Sequence, residues 1–377
     1  MNFELNEEQS MLRDSVARFI QDDYDWETRK ATVAMEGGFD PAHWQTFAEL
    51  GWLSIPFAEA QGGFGGGPVD LMAVMEEFGK GLVAEPFMAT VLLFGGVLAK
   101  AGNAPQQALI EQIIGGKLQG ALAYLERDSR YDLNHVATTA EADGGHYTLN
   151  GTKTVVFNGH SATHLIVTAR TSGDVFDSDG ISFFLVETDA PGLSRESWRL
   201  MDGQQVANIR LDDVKVEASA LIGEAHTALP TLQSVIDTAT IAVCAEAVGI
   251  MHSLTHKTVE YTKTRKQFGV AISSFQALQH RMVDMLIDVE QTRSLLYRAV
   301  CAMDEGSGDA ARCLAALKMK VGTAGKTIGA EAVQIHGGMG MTDELDIGHY
   351  MKRLMLINMW FGDFNFHQQR FAQLSYG

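Results

Sequence analysis

The chain has 377 residues, enough for two or three modules around substantial cores, and 46% of them are hydrophobic, which excludes a disordered protein. Its 29 basic residues stand against 47 acidic ones, a net charge of −18. An acidic surface repels phosphate backbones and anionic headgroups, so neither nucleic acid nor a membrane is expected as a partner.

The N-terminal stretch MNFELNEEQSMLRD is acidic and polar, where a secretory leader would be basic and then apolar. No uninterrupted apolar run of about 18 residues is expected to cross a membrane. Cys244, Cys301 and Cys313 form neither a CxxC pair nor a disulfide framework, which fits buried thiols in a reducing compartment. A cytoplasmic location is the expectation.

The first third reads as helical, and residues 1–116 are expected as an N-terminal helical domain. Asn6 with Gln9 three residues later is a capping-box pattern, followed by Leu12, Val16, Phe19 and Ile20 on one face. Asp40 before Pro41 opens another helix, with Trp44, Phe47 and Leu50 as its stripe and Gly51 as its stop. GGFGGGP, residues 62–68, predicts a flexible connector. No strand precedes it and no Lys-Ser/Thr closes it, so it is no phosphate loop. Helical spacing returns from Val69 to Phe78.

The period then changes, and residues 117–225 are expected as a central β-domain. Short β-prone segments around Tyr147, His164–Thr168, Ile181–Val186 and Asn208–Leu211 are bounded by turn residues such as Asp143-Gly144-Gly145 and Asn150-Gly151. Many short strands without helices between them predict a small antiparallel barrel or sandwich. Residues 226–377 are expected as a helical bundle, with periodic runs near 226–264, 274–304, 309–335 and 345–372 joined by Gly-bearing linkers. No HExxH or His/Cys cluster suggests a metal, and no GxSxG suggests a serine hydrolase.

Four motifs carry chemistry when taken together. Thr264-Arg265-Lys266-Gln267-Phe268-Gly269 precedes Ser274-Phe275-Gln276-Ala277-Leu278-Gln279. Gln334-Ile335-His336-Gly337-Gly338-Met339-Gly340 ends the third long run. Ala245-Glu246-Ala247-Val248-Gly249 lies on the first, and Tyr147-Thr148-Leu149-Asn150-Gly151-Thr152-Lys153 in the β-domain. In this order the chain resembles the acyl-CoA dehydrogenase family over essentially its whole length. The resemblance implies an α+β fold: an N-terminal helical domain, a central small β-barrel domain and a C-terminal four-helix bundle. It also implies FAD as cofactor and an acyl-CoA thioester as substrate. An electron-transfer flavoprotein is the implied electron acceptor.

Arg265 can fork onto phosphate oxygens, and Gly337 and Gly338 let a backbone approach without a Cβ in the way. With Gln267, Phe268, Phe275, Gln276, Gln334 and His336 they make up the candidate cofactor-binding set. In the family these positions hold the FAD of a neighbouring subunit, so the resemblance implies an oligomer.

The sequence also departs from the family. The reaction takes an α-proton from the thioester while a hydride passes to the flavin, so it needs a carboxylate base. The resemblance places that base at Phe361, or in some relatives at Ala239, and neither residue can accept a proton. Asp363 and Glu246 are the substitute candidates. Tyr124-Leu125-Glu126-Arg127-Asp128 lacks the family's ring-contacting Thr, and Val155-Val156-Phe157 replaces its Trp-x-Thr. A degraded ring pocket beside an intact half-site resembles the small or β subunits of two-chain, α2β2 enzymes, such as the pimeloyl-CoA dehydrogenase small subunit and steroid side-chain acyl-CoA dehydrogenases. Three readings stay open: a subunit working beside a paralogous α chain in a heterotetramer, a homo-oligomeric enzyme with a relocated base, and a non-enzymatic acyl-CoA-binding or assembly partner.

Overall fold

The computed structural model describes residues 5–377, so the first four residues of the segment used to judge a leader lie outside the described residues. By its contacts the chain gathers into two compact units. One holds residues up to 31, 67–83 and 240–377; the other holds 32–66 and 84–239. Residues 1–116, expected as the N-terminal helical domain, contribute to both units.

Helix α1 (Glu7–Asp23) opens on the capping box, with the Asn6 side chain accepting from Gln9 N at 2.8 Å and Gln9 Oε1 accepting from Asn6 N at 3.1 Å. It buries Val16 and Phe19. Helix α2 (Trp26–Ala34) follows. Helix α3 (Pro41–Glu49) starts on Asp40, which accepts from Ala42 N, and buries Trp44 and Phe47. Leu50, expected on that stripe, caps the helix end instead and is exposed. The glycine loop is not a loose connector. Gly63, Phe64, Gly65 and Gly66 donate backbone bonds to Ala58, Ser54, Phe57 and Ile55, and a Cβ on Gly63 would lie 2.0 Å from Phe57 O. Helix α4 (Pro68–Gly81) has Pro at its first turn, and α5 (Gly95–Ala101) continues a π-helical stretch, Met88–Phe94. Helix α6 is Ala104–Ile114.

The central sheet contains β1 (Gly120–Ala123), β2 (Thr139–Asp143), β3 (His146–Phe157), β4 (His164–Arg170), β5 (Ile181–Glu187), β6 (Leu193–Arg199), β7 (Gln205–Glu217) and β8 (Leu221–Ile222). Its order is β6-β7-β3-β2-β4-β5-β8, with β1 beside β4. Most pairs are antiparallel, but β1 and β2 both run parallel to β4, so the sheet is mixed where an antiparallel one was expected. Physically, the β2–β3 hairpin lies between β1 and β4 in the chain and supplies the long crossover that a parallel pair requires. Inward residues such as Leu149, Leu165, Val167, Phe184, Ile209 and Val214 form its core.

The bundle comprises α7 (Ala228–Thr264), a small hairpin of β9 (Lys266–Gln267) and β10 (Val270–Ala271), then α8 (Gln276–Asp304), α9 (Ala310–His336), α10 (Ile347–Met359) and α11 (Phe364–Tyr376). The run expected as one helix over 345–372 is broken in two. Phe361 (φ 57°) and Gly362 (φ 108°) turn the chain between α10 and α11, and a Cβ on Gly362 would lie 2.4 Å from the Phe366 ring. Helix α7 does contain a stretch long and apolar enough to cross a membrane, contrary to expectation. That stretch is 83% buried, so the protein's own core already uses its apolar surface.

Burial leaves a pH signature. His160, His164, His252, His336, His349 and His367 are all pushed below the usual imidazole value, chiefly by desolvation, and His367 falls to about 3. Their folded pKa values are depressed, so the stability they contribute is present above pH 6.5 and lost as the pH falls and the unfolded chain takes up protons. His367 alone, with 6.5 unfolded and about 3 folded, is expected to remove about 2 kcal/mol between pH 7.5 and pH 5. Thermal melts across that range should show Tm falling steadily with acid; a flat profile would contradict the buried neutral state.

Candidate FAD half-site and the vacant base positions

The candidate cofactor residues gather at one end of the bundle. The ends of α7 and α9 are tied together, because the Tyr261 ring stacks on His336 at 4.3 Å and its hydroxyl donates to His336 O at 3.4 Å. Arg281 of α8 pairs with Glu331 of α9, which brings the start of α8, with Gln276, beside the end of α9, with Gln334. Arg265 follows α7 directly: its N–H donates to Tyr261 O, and its carbonyl accepts from Ile272 N, closing the hairpin at 2.9 Å.

The hairpin tip is strained. Phe268 (φ 54°) and Gly269 (φ 83°) both take left-handed conformations, as a two-residue turn of this hand requires. Phe268 is 93% exposed and meets Phe275 edge-on at 6.3 Å. A bare phenyl ring on a left-handed residue costs free energy twice, through strain and through hydration, and such positions mark binding surfaces. Arg265, Gln267, Gln276 and Gln334 are also exposed, and among the described residues Arg265 pairs with no carboxylate. At Gly337 (φ 63°) and Gly338 an added Cβ would meet nothing within 4 Å, so both face open space.

This arrangement fits the adenosine and pyrophosphate part of a dinucleotide: a fork cation, amide side chains, an aromatic ring and a glycine turn with room above it. His336 differs from the rest of the set in being buried. Its ring is buried, Nδ1–H donates to Ala332 O at 2.8 Å, and desolvation holds it neutral. Its ring stacks on Tyr261 at 4.3 Å.

The β-domain segments that the resemblance assigns to the flavin ring hold a buried ion pair. Glu126 is buried and accepts from Ala137 N at 2.7 Å, from Thr138 N at 3.0 Å and Oγ1 at 2.7 Å, and from Lys153 Nζ at 2.6 Å. Burial alone would raise its pKa; Lys153 and these hydrogen bonds outweigh burial and hold it below the ordinary value. Lys153, wholly buried, is pushed down to about 8 by desolvation, opposed by Glu126. This pair locks β3 to the loop after β1 and was not foreseen, although both residues lie in motifs noted above. Val155 takes a left-handed φ of 51° in a bulge of β3, where the resemblance expects an aromatic ring. The residues present fit the dinucleotide portion of FAD and lack the side-chain hydroxyl for its ring.

Neither vacant base position has a carboxylate. Ala239 is buried, and Phe361 is buried with its carbonyl accepting from His367 Nε2 at 2.9 Å. Lys318, fully buried and pushed down to about 8 by desolvation, donates to Gly362 O at 2.6 Å and Asn358 O at 3.1 Å. It caps the end of α10 and fixes the turn bearing Phe361.

Both substitute bases have structural duties. Glu246 accepts from Arg353 Nε at 2.6 Å and Nη2 at 2.9 Å, and both residues are buried. Asp363 caps α11, accepting from Phe366 N at 2.9 Å. A carboxylate clamped by a buried guanidinium is a poor proton acceptor, and one that caps a helix is already committed. Among the described residues no cluster of metal-binding side chains occurs.

Comparison with known proteins agrees with this layout. Residues 6–117, 121–214 and 229–373 match the acyl-CoA dehydrogenase N-terminal, middle and C-terminal domains. The chain is 31% identical over 365 residues to the probable acyl-CoA dehydrogenase YngJ of Bacillus subtilis, covering 95% of each protein. Among solved structures it is similar to butyryl-CoA dehydrogenase of Megasphaera elsdenii, with 26% identity, 99% of both chains covered and a TM-score of 0.91. It is similar to a chain of the ChsE4-ChsE5 complex of Mycobacterium tuberculosis, with 26% identity, 99% and 98% covered and a TM-score of 0.89. It is also similar to the Tcur3481-Tcur3483 steroid ACAD, with 29% identity, 98% and 97% covered and a TM-score of 0.87. This chain belongs to the acyl-CoA dehydrogenase family of FAD-dependent oxidoreductases.

Proposed function

We propose that this chain is the subunit of a two-chain acyl-CoA dehydrogenase that holds the dinucleotide part of its partner's FAD and leaves proton abstraction to that partner. The observation that carries the reading is the pairing of an exposed, unobstructed half-site, Arg265 to Gln276 with Gly337 and Gly338, with a phenyl ring at the base position. The ion pair of Glu246 and the capping role of Asp363 speak against a relocated base. The ChsE4-ChsE5 complex and the Tcur3481-Tcur3483 steroid enzyme, each named for two components, support a paralogous partner and a steroid or other bulky acyl-CoA substrate. A neighbour named for an electron-transferring flavoprotein, of Acidaminococcus fermentans, supports a flavoprotein acceptor.

FAD, when bound, supplies the hydride acceptor. In this reading Arg265 bonds the pyrophosphate, Gln276 and Gln334 orient the adenosine side, Phe268 and Phe275 shield it, and Gly337 and Gly338 let the backbone close on it. Gln267 lines the same hairpin. Arg265→Ala in the assembled complex is expected to weaken FAD retention roughly 10–100-fold, the worth of one or two charge-assisted hydrogen bonds. Flavin release on dilution measures it. Unchanged retention in Arg265→Ala would remove the dinucleotide role from this chain.

A further inference from the structure

The candidate half-site is made of two separate arms. One is the hairpin that follows α7 and carries Arg265; the other is the glycine turn that follows α9. Each arm has its own bonds. The hairpin is closed by the pairing of β9 with β10 and by Ile272 N, which donates to Arg265 O at 2.9 Å. The segment after the glycine turn is fastened at two points: Trp26 Nε1 donates to Glu344 O at 3.1 Å, and Lys257 pairs with Asp346 at 2.7 Å. A pyrophosphate that engages both arms needs them preset at one spacing.

Tyr261 touches both arms. Its carbonyl accepts from Arg265 N at 2.9 Å and from Thr264 Oγ1 at 3.1 Å, so its backbone fixes where the Arg265 arm leaves α7. Its side chain reaches the other arm. The ring lies 4.3 Å from the His336 ring at an interplanar angle of 26°, and the hydroxyl donates to His336 O at 3.4 Å.

That carbonyl belongs to the peptide joining His336 to Gly337, and the N–H of the same peptide donates to Gln334 O. The peptide that leads into the left-handed Gly337 (φ 63°) is thus held at both ends. The His336 ring is a fixed platform, buried and bonded to Ala332 O at 2.8 Å. A tyrosine side chain has two torsions, so it makes a stiff link between the arms.

We propose that Tyr261 is a positioning residue of the half-site: it sets the distance between the Arg265 arm and the Gly337–Gly338 turn, so that one dinucleotide engages both. The inference rests on the divided-site reading and adds to it a residue that acts through Arg265 and Gly337. A tyrosine that served only to pack two helix ends would lower stability, and its effect on FAD would not depend on Arg265.

The test is a double-variant cycle on the coexpressed complex, read as the rate of flavin release on dilution well below the melting temperature. Tyr261→Phe keeps the ring and drops the hydroxyl, and is expected to speed release about threefold, the worth of one hydrogen bond. Tyr261→Leu drops the stack as well, and about tenfold is expected. In an Arg265→Ala background the spacing has no cation to serve, so Tyr261→Leu should add about twofold at most. The full single-variant effect in that background would make Tyr261 a packing residue independent of Arg265, and would overturn the inference while leaving the divided site standing. Wild-type release rates in both Tyr261 variants would do the same. Arg265→Ala with wild-type release would instead overturn the divided-site reading, and the positioning role with it.

Discussion

Glu246→Gln is expected to lower stability by about 3–5 kcal/mol, because it removes the carboxylate charge that faces the buried Arg353 guanidinium. Arg353 is held by both Glu246 oxygens and lies 4.1 Å over the Trp360 ring, with each member of the pair almost fully buried. Breaking one side of such a pair costs far more than replacing both. Glu246→Leu combined with Arg353→Met should therefore recover most of the loss. Denaturant melts of the single and double variants measure this. The outcome also bears on catalysis: a Glu246→Gln protein that melts like wild type but loses turnover in the assembled complex would make Glu246 the base and contradict the structural role.

The second large effect is expected at Gly249. In an exposed helix Gly→Ala stabilises by about 1 kcal/mol. Here a Cβ on Gly249 would lie 1.9 Å from Glu76 O, and one on Gly79 would lie 2.1 Å from Glu246 O. The two glycines let α4 and α7 approach backbone to backbone, each facing a carbonyl of the other helix. A carbonyl cannot rotate aside as a side chain can, so the helices must part. Gly249→Ala and Gly79→Ala should each cost about 3 kcal/mol or more. Gly308, where a Cβ meets nothing within 4 Å, serves as the control, and Gly308→Ala should be near neutral. Equal melting of Gly249→Ala and wild type would mean that the helices do not cross so closely.

These two sites show what the amino-acid sequence discloses. Local signals were legible: the Asn6–Gln9 capping box, the Asp40–Pro41 helix start and the Asp143-Gly144-Gly145 hairpin all act within four residues of themselves, where chain chemistry decides alone. The motif around Gly249 was visible as a pattern, but its reason was not, since Glu76 lies far away in sequence. The same holds for Glu246, whose partner Arg353 is 107 residues on, and for Glu126 with Lys153. Long-range pairs leave no periodic trace.

The parallel pairing of β1 with β4 was hidden for the same reason, and so was the break at Phe361. An apolar run through 345–372 looks continuous until the left-handed turn and the Lys318 cap are seen. His336 shows the same limit. Its place in the glycine motif gave no sign that its ring is buried against Tyr261 and bonded to Ala332 O. Exposure separates the half-site residues from their supports, and exposure is a property of the fold.

The central claim is that one FAD serves two unlike chains, and counting FAD tests it most directly. The complex purified from its native source is weighed in solution and its flavin measured by visible absorbance. The divided site predicts one FAD per two chains, with a second homologous chain present in equal amount. One FAD per chain in an assembly of this chain alone would contradict it.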